Sequence, residues 1–269
     1  MVNLIFEIKK KREFSGLPDS IVEKVLFQVD NGLDDKSRVK EVRSMLRKYF
    51  GVFLTNRVIK PKDILNFGSV LKSHRSSMKR DYDVLYGKFK EVIGEVDSVV
   101  DFGCGVNGFS YEFLKNIFGE VKYIGMEASN QIVENMNSYF SSMEFDATAH
   151  CVDLFDLKDV NKIIEVNNAE TVLSLGISQK RECQCFFCFQ LVDALEKLER
   201  NSSKKFLLNI KSRMSKKDWL ILSLPMVSLS SKSEFKVKRN WLFYFLNEEF
   251  SIVEDFRMFG ERFVMMQVL

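Results

Sequence analysis

Two patterns of apolar and polar positions divide the chain. In the first third, apolar residues recur every three or four positions. This spacing predicts a helix over residues 21–29, a second over 37–53 and a short third over 61–71. We therefore predict a small helical domain at residues 1–72. A linking helix over residues 74–90 follows it.

From residue 98 onward, short apolar runs alternate with amphipathic segments. The runs predict strands at 98–102, 122–126, 147–152, 171–175 and 220–225, and the segments predict helices at 109–118, 130–140 and 180–200. Residues 204–213 fit a strand or a helix. A helix at 239–246 and two β-rich runs at 250–253 and 263–268 end the chain. This order predicts an α/β fold at residues 73–269, with a mostly parallel, doubly wound sheet of seven strands and a closing antiparallel hairpin.

Composition limits the classes of protein to consider. The chain has 269 residues, of which 46% are apolar, enough for a large packed core. Its apolar runs are shorter than the roughly 18 residues that span a bilayer, and its first residues lack the layout of a signal peptide. We therefore expect a cytoplasmic protein, and we expect it to be a monomer.

The spacing Cys183-x-Cys185-x-x-Cys188 resembles a set of metal ligands. These cysteines fall in the segment predicted as a helix with a broad buried face, and both histidines lie in other segments. Free cysteine commonly packs as a small buried hydrophobic residue. We therefore expect no metal site there.

The net charge of +3 is distributed unevenly along the chain. Residues 1–90 hold 20 Lys and Arg against 11 Asp and Glu, whereas residues 91–269 hold 20 against 26. A basic first third is typical of a surface that binds a polyanion such as RNA. A helical domain with solvated lysines gives the same pattern, so the charge alone leaves both interpretations open.

The most informative motif is Asp101-Phe102-Gly103-Cys104-Gly105-Val106-Asn107-Gly108, between a predicted strand and a predicted helix. A G-x-G-x-x-G run there permits a tight turn and close approach of the backbone to a ligand. Glu127 ends the next strand about 20 residues later, where an acid suits a ribose diol. Asp153 follows the third strand and is placed to meet an adenine amino group.

Acids after the first three strands, together with this glycine loop, resemble the S-adenosylmethionine-dependent methyltransferases of class I. The resemblance implies a Rossmann-like fold with S-adenosylmethionine as the cofactor. The open alternative is a Rossmann-like unit that binds another ligand or none.

The chain is also similar, over most of its length, to the small-subunit rRNA (guanine-N7) methyltransferases that confer aminoglycoside resistance. Their His-x-Ser-Thr-x-x-Arg element corresponds to residues 74–80, and the Leu-Tyr after it to residues 85–86. Their Asp-x-x-Cys-Gly-x-Asn-Pro loop corresponds to residues 101–108, and their Phe-Pro-Thr-Arg-Ser-Leu-Gly-Gly segment to residues 224–231. The chain has Gly108 in place of the proline, Val227 in place of the arginine and Ser174 in place of a lysine after strand four. With these departures, the chain resembles a distant member of that family.

This resemblance implies the residues of a cofactor site. Asp101 and Glu127 would hold amino and ribose groups, and Asp153 with Leu154 the adenine. Arg80 would face the methionine carboxylate, with His74 reaching over the cofactor. The predicted cofactor residues are His74, Arg80, Asp101, Gly103, Gly105, Glu127, Asp153, Leu154 and Ser174.

Cations around the predicted cofactor site are the candidates for contact with RNA. Contacts to phosphate position a protein on RNA but do not specify the sequence. The predicted RNA-binding residues are Arg38, Arg43, Arg47, Lys48, Arg75, Lys79, Lys232 and Lys236.

The sequence also limits the chemistry. Guanine N7 has a free lone pair and loses no proton before attack, so its methylation needs alignment rather than a general base. After predicted strand four the chain lacks the Asn/Asp-Pro-Pro-aromatic element that clamps an exocyclic amino group, and no cysteine stands in a context for covalent attack on a pyrimidine. We therefore expect positioning groups and no catalytic residue.

The predicted function is methyl transfer to guanine N7 of a structured RNA such as small-subunit rRNA. The alternatives are an enzyme that acts on tRNA or a small molecule, and a non-catalytic RNA-binding relative. A small-molecule enzyme predicts an apolar lid over the pocket in place of a basic helical domain. A non-catalytic relative predicts no affinity for the cofactor.

Overall fold

The computed structural model describes residues 2–50, 54–61, 66–175, 183–226 and 239–269. Among these residues, seven strands form one sheet with helices around it. The strands are β1 Ser98–Phe102, β2 Lys122–Glu127, β3 Ala147–Cys151, β4 Gln184–Phe189, β5 Trp219–Pro225, β6 Phe250–Met258 and β7 Glu261–Val268. The helices are α1 Val2–Lys9, α2 Arg12–Ser15, α3 Asp19–Leu26, α4 Asp35–Phe50, α5 Asn56–Ile59, α6 Phe67–Ser73, α7 Tyr82–Ile93, α8 Tyr111–Phe118, α9 Asn130–Ser142, α10 Leu157–Leu175, α11 Val192–Leu198, α12 Ser202–Lys211 and α13 Asn240–Glu249, with a 3-10 turn at Asn107–Ser110.

The strands lie in the order β3-β2-β1-β4-β5-β7-β6. β1 to β5 pair in parallel, and β7 lies antiparallel to both β5 and β6. The predicted mostly parallel, seven-stranded sheet with a closing hairpin is therefore confirmed. Because the first five strands are parallel, their carboxyl ends meet at one edge of the sheet, where α/β proteins bind ligands.

Alternating side chains of the strands bury two separate cores. Val99, Tyr123 and Phe187 face one core, to which α1 to α9 contribute, and Val100 and Ile124 face the other, to which α10 to α13 contribute. Central parallel strands are covered on both faces, which explains their continuous apolar runs. The N-terminal helices thus share a core with the sheet, and the division of the chain at residue 72 stays a prediction.

The N-terminal helices also form hydrogen bonds with the sheet domain near its carboxyl edge. The backbone N–H of Asn130 donates to the carbonyl of Gly16 at 3.0 Å, and Gln131 Nε2 donates to Ser15 Oγ at 2.7 Å. Ser20 Oγ donates to Asp153 Oδ2 at 2.7 Å. These bonds hold α2 and α3 against the strand ends.

The helices predicted over residues 21–29 and 37–53 are found as α3, which ends at Leu26, and α4, and residues 51–53 lie outside the described residues. The helix predicted over 61–71 includes residues 62–65, outside the described residues, and α6 covers its end. α1, α2 and α5 were not predicted, and the linking helix predicted over 74–90 begins only at Tyr82, as α7. The ambiguous segment 204–213 is helical, within α12.

Two predictions around strand four are wrong. Residues 171–175 end helix α10, in which Val160, Ile164 and Asn167 form a buried face at helical spacing. The cysteine segment predicted as a helix over 180–200 instead supplies strand β4 and then α11. Every residue of β4 is buried, and a short apolar run buried on both faces cannot be told from a buried helix by periodicity.

Gly108, in place of the proline of the resembling family, lies where neighbouring side chains leave no room. A Cβ there would approach Met136 Sδ to 2.6 Å and Phe140 Cζ to 3.0 Å. Both neighbours are buried in the core. This close approach of α9 to the 3-10 turn explains a glycine at position 108.

We expect Gly108→Ala to lower the free energy of unfolding by about 1–3 kcal/mol, the usual cost of overpacking a core. Gly87→Ala is the matched control, because Gly87 lies inside α7 and a Cβ there meets nothing within 4 Å. That variant should be neutral or more stable by up to about 1 kcal/mol. Urea unfolding measures both, and equal losses would contradict the packing argument.

Candidate functional site

A cavity lies where the carboxyl ends of β1 to β4 meet the N-terminal helices. Its wall combines the loop 74–80, the glycine turn after β1 and the residues that follow β2, β3 and β4. Seven of the predicted cofactor residues line it, namely His74, Arg80, Gly103, Gly105, Glu127, Asp153 and Leu154. The sequence motifs therefore converge on one site.

The glycine turn after β1 requires residues without a side chain. Gly103 and Gly105 have φ values of 62° and 53°, in the left-handed region that disfavours other residues. A Cβ on Gly103 would also lie 2.9 Å from Leu191 Cδ1. The turn thus brings bare backbone to the cavity wall.

Asp101 lies directly beneath this turn and has no exposed surface. Its Oδ2 accepts hydrogen bonds from Asn107 Nδ2 at 2.7 Å and from the Tyr123 hydroxyl at 2.8 Å. Its Oδ1 is buried with no hydrogen-bond partner among the described residues. Burial raises the pKa of Asp101 to about 7, although both hydrogen bonds oppose the shift. A cationic donor at Oδ1 would satisfy this carboxylate.

The other two acids, Glu127 and Asp153, line the cavity and also accept hydrogen bonds from backbone N–H groups. Glu127 accepts from the N–H of Gly105 at 3.0 Å and of Ser129 at 2.9 Å, and its pKa is raised by burial. Asp153 accepts from the N–H of Phe155 at 3.0 Å, in addition to Ser20. Glu127 therefore fixes the glycine turn relative to β2.

His74 is buried in the wall, 2% exposed, with Nδ1 2.7 Å from Ser76 Oγ. Burial, assisted by the charge of Arg80, lowers the pKa of His74 to about 3. The imidazole is therefore neutral at physiological pH and is a weak base. Its ring lies 3.8 Å from the position of a Cβ on Gly105, so it packs against the glycine turn.

Arg80 forms a buried ion pair with Glu261, which sequence reasoning did not find. Arg80 Nε and Nη2 donate to the two oxygens of Glu261 at 2.8 and 2.9 Å. Only 3% and 5% of the two side chains are exposed. Burial alone would raise the pKa of Glu261, but the charge of Arg80 and the hydrogen bonds from Arg80, Ser223 and Gln190 together lower that pKa. The one available sequence signal was an acid at the start of an apolar strand.

The position after strand four belongs to Gln190 and not to Ser174. Ser174 was predicted there from a strand at 171–175, but it lies in α10. Gln190 follows β4, lines the cavity and has a φ of 56°. Such backbone strain in a non-glycine residue concentrates at functional sites. Correct assignment of β4 would have identified Gln190.

The roof of the cavity comes from the N-terminal helices and is largely apolar. Its side chains are Ile21 of α3, Tyr49 and Phe50 of α4, and Leu54. The Tyr49 hydroxyl donates a hydrogen bond to Gln28 Oε1 at 3.1 Å. An apolar lid is the feature expected of a small-molecule enzyme, but here the basic helical segment itself supplies it.

The predicted RNA-binding residues of α4 are mostly engaged with the protein. Arg43 donates to the carbonyls of Glu7 and Ile8, and Arg47 Nε donates to Glu13 Oε1 at 2.8 Å. Arg38 Nη2 donates to Asn31 Oδ1 at 3.0 Å. Arg43 in particular holds α4 against the end of α1.

Three other predicted cations are exposed next to the cavity wall. Lys48 precedes Tyr49 in α4, and Arg75 and Lys79 lie in the loop that carries His74 and Arg80. Lys232 and Lys236 lie outside the described residues, as does Val227. The role of all these residues in RNA binding stays a prediction.

The described residues show no group of three or more His, Cys, Asp or Glu side chains that could hold a metal ion. Cys185 and Cys188 are buried in β4, and burial raises the pKa of both thiols. In the same part of the chain, no helix is long and apolar enough to cross a membrane.

Solved structures with this fold cover almost the whole chain. The 16S rRNA methyltransferase RmtF, solved with S-adenosyl-L-homocysteine, superposes with a TM-score of 0.73 and 16% identity over 99% of this chain and 97% of its own. An rRNA methylase from Escherichia coli gives 0.69 and 18% over 99% of each chain. The 16S rRNA methylase RmtB gives 0.68 and 16% over 99% and 98%. At these identities the likeness shows the fold.

Sequence comparison alone is less informative. No family model matches the chain. DNA replication and repair protein RecF of Streptococcus pneumoniae (strain ATCC 700669 / Spain 23F-1) is 33% identical over 115 residues. That match covers 41% of this chain, and the chain spans only 30% of the length of RecF.

The fold is that of a class I methyltransferase, as the motifs predicted. The sheet order, the closing hairpin and the acids at the strand ends all agree with this class. The solved structures that match over nearly the full length are 16S rRNA methylases, so the resemblance first seen in the motifs is confirmed at the level of the fold.

The raised pKa of Asp101 predicts a pH dependence of stability. An Asp whose pKa is about 7 in the folded protein and 3.8 in the unfolded chain takes up a proton on folding between these values. The wild type should therefore lose stability as pH rises from about 4 to 7, by up to roughly 4 kcal/mol relative to Asp101→Asn.

Urea unfolding of both proteins across this pH range measures the difference. Asp83→Asn, which removes an exposed carboxylate of α7, is the matched control and should follow the wild type. Parallel curves for the wild type and Asp101→Asn would show that Asp101 keeps an ordinary pKa.

Proposed function

We propose that the chain is an S-adenosylmethionine-dependent RNA methyltransferase that modifies guanine N7 of small-subunit rRNA in the cytoplasm. The observation that carries the proposal is the excess of acids at the cavity. Arg80 is the one Lys or Arg among the described residues that line it, and Glu261 neutralises Arg80. Glu127 and Asp153 in its wall, and Asp101 buried beneath the glycine turn, are left without a cationic side chain of their own.

A cavity with this charge suits a ligand that brings positive charge and hydroxyl donors. Asp101 does not line the cavity, but its buried, unpartnered Oδ1 places negative charge directly beneath the glycine turn, and Glu127 in the wall has lone pairs left for a ribose diol. Asp153 and Leu154 would hold the adenine. When bound, S-adenosylmethionine supplies a methyl group whose transfer needs no activation of the donor.

The residues of the site support a reaction by alignment. His74 is neutral and weakly basic, and burial raises the pKa of the Cys104 thiol in the wall well above its usual range. Neither side chain suits a general base or a thiolate nucleophile. After the correct strand four the sequence is Phe189-Gln190-Leu191-Val192, which again lacks the amino-group clamp. Methylation of guanine N7 needs no general base, no thiolate nucleophile and no clamp for an amino group.

RNA is supported as the substrate class by exposed cations beside the cavity and by the fold shared with rRNA methylases. The apolar roof favours a second candidate, a small-molecule acceptor enclosed beneath Tyr49 and Phe50. Incubation with labelled S-adenosylmethionine and either RNA or a metabolite extract separates the two candidates.

In that experiment we expect the label in RNA, as 7-methylguanosine. The methylated base carries a positive charge and a labile glycosidic bond, so borohydride and aniline should cleave the product at one position. Cys183→Ala should remain active, because Cys183 lies at the amino end of β4, away from the cavity. Label in a 5-methylpyrimidine or in N6-methyladenosine would contradict the alignment mechanism.

We expect RNA affinity to depend steeply on salt through the cations beside the cavity. Replacing Lys48, Arg75 and Lys79 by Gln should flatten the slope of log K against log salt by up to about three units, if each contacts a phosphate. The matched control replaces Lys115, Lys216 and Lys217, which precede β2 and β5 at the opposite edge of the sheet. Equal losses in both triple variants would mean that the cavity edge is not the RNA-binding surface.

A further inference from the structure

Glu261 lies at the centre of a buried polar cluster that joins distant parts of the chain. It opens β7, yet it binds Arg80 of the loop 74–80 through both carboxylate oxygens. Ser223 Oγ of β5 donates to its Oε2 at 2.5 Å, and the side chain of Gln190 also hydrogen-bonds to it. Its partners Arg80 and Gln190 line the cavity.

Stability alone is a poor explanation for this ion pair. Removing two charges from water costs about as much as their attraction returns, and apolar replacements of such pairs are often as stable. Arg80 and Glu261 are nearly fully buried. A role in fixing the direction of Arg80 accounts better for the pair.

The guanidinium is held on more than one side. Glu261 takes the Nε–H and one Nη2–H, and Nη1 lies 3.4 Å from Asn107 Oδ1. The Arg80 Cζ lies over the Phe189 ring, 5.1 Å from the ring centroid. These contacts engage three of the five N–H donors of the guanidinium, and the Tyr82 side chain also interacts with it, so at most two donors are left for a ligand at the cavity wall.

We infer that Glu261 is a positioning residue that orients Arg80 toward the carboxylate of the bound cofactor. The inference rests on the proposed function, since it requires an amino-acid moiety in the cavity. Because Glu261 neutralises Arg80, long-range attraction of the ligand carboxylate is small. The contact then depends on the direction of the remaining N–H donors, which Glu261 fixes.

The test compares two ligands that differ only in the carboxylate, S-adenosylhomocysteine and S-adenosyl-3-thiopropylamine. For the wild type we expect calorimetry to show at least about tenfold tighter binding of S-adenosylhomocysteine, the scale of one charged hydrogen-bonded contact. Glu261→Asp keeps the charge but withdraws the carboxylate from Arg80. It should reduce this preference at least fivefold, with the affinity for the amine changed by less than twofold.

Glu254→Asp is the matched control, because it makes the same chemical change on β6 of the same hairpin. It should keep the full preference. General loosening of the site would weaken both ligands equally and leave their ratio unchanged, so a ratio in Glu261→Asp equal to that of the wild type overturns the inference.

Two further outcomes are distinguishable. If the wild type binds neither ligand, the proposed function fails as a whole. If Glu261→Asp does not fold, Ser223→Ala decides, because it removes one hydrogen bond to Glu261 and keeps both charges. A preference reduced at least twofold in Ser223→Ala supports the inference, and an unchanged preference overturns it.

Discussion

The site depends on how the protein balances acids that it has buried at one edge of a sheet. Asp101 and Glu261 are almost fully shielded from solvent, so each carboxylate needs a partner from the chain or a proton. Glu261 has Arg80 and its pKa is lowered, whereas Asp101 has only neutral hydrogen-bond donors and its pKa is raised to about 7. This difference separates an acid whose charge is balanced within the protein from one whose charge is not.

The same polar groups connect the parts of the fold that form the cavity. Hydrogen bonds run from Glu261 of β7 through Arg80 and Asn107 to Asp101 of β1, and on to Tyr123 of β2. The closing hairpin of β6 and β7 therefore contributes a residue to the site as well as completing the sheet. It supplies the anion that holds the loop 74–80 over the glycine turn, although the two segments lie about 180 residues apart.

Much of this was predictable from sequence, because motifs and periodicity act locally. Asp101 and Glu127 lie at the carboxyl ends of β1 and β2, and the glycine turn and Asp153 follow β1 and β3, so the parallel sheet alone brings them together. Strand β4 was missed because its residues are buried on both faces and carry no alternation of polar positions. Placing Gln190 depended on that strand, and pairing Glu261 with Arg80 depended on tertiary contacts that no local pattern records.

Helix α4 of the N-terminal segment presents apolar side chains to the cavity and basic side chains to solvent. α4 turns Tyr49 and Phe50 toward the cavity and leaves Lys48 exposed beside them. Covering the cavity with apolar side chains lowers the local dielectric and strengthens every charge interaction inside it. Since His74 is neutral and the Cys104 thiol stays protonated, alignment and this electrostatic environment are what the wall offers to a methyl transfer. Under the proposed function, an acceptor with a free lone pair such as guanine N7 would suit that chemistry, whereas an amino group that must lose a proton would not.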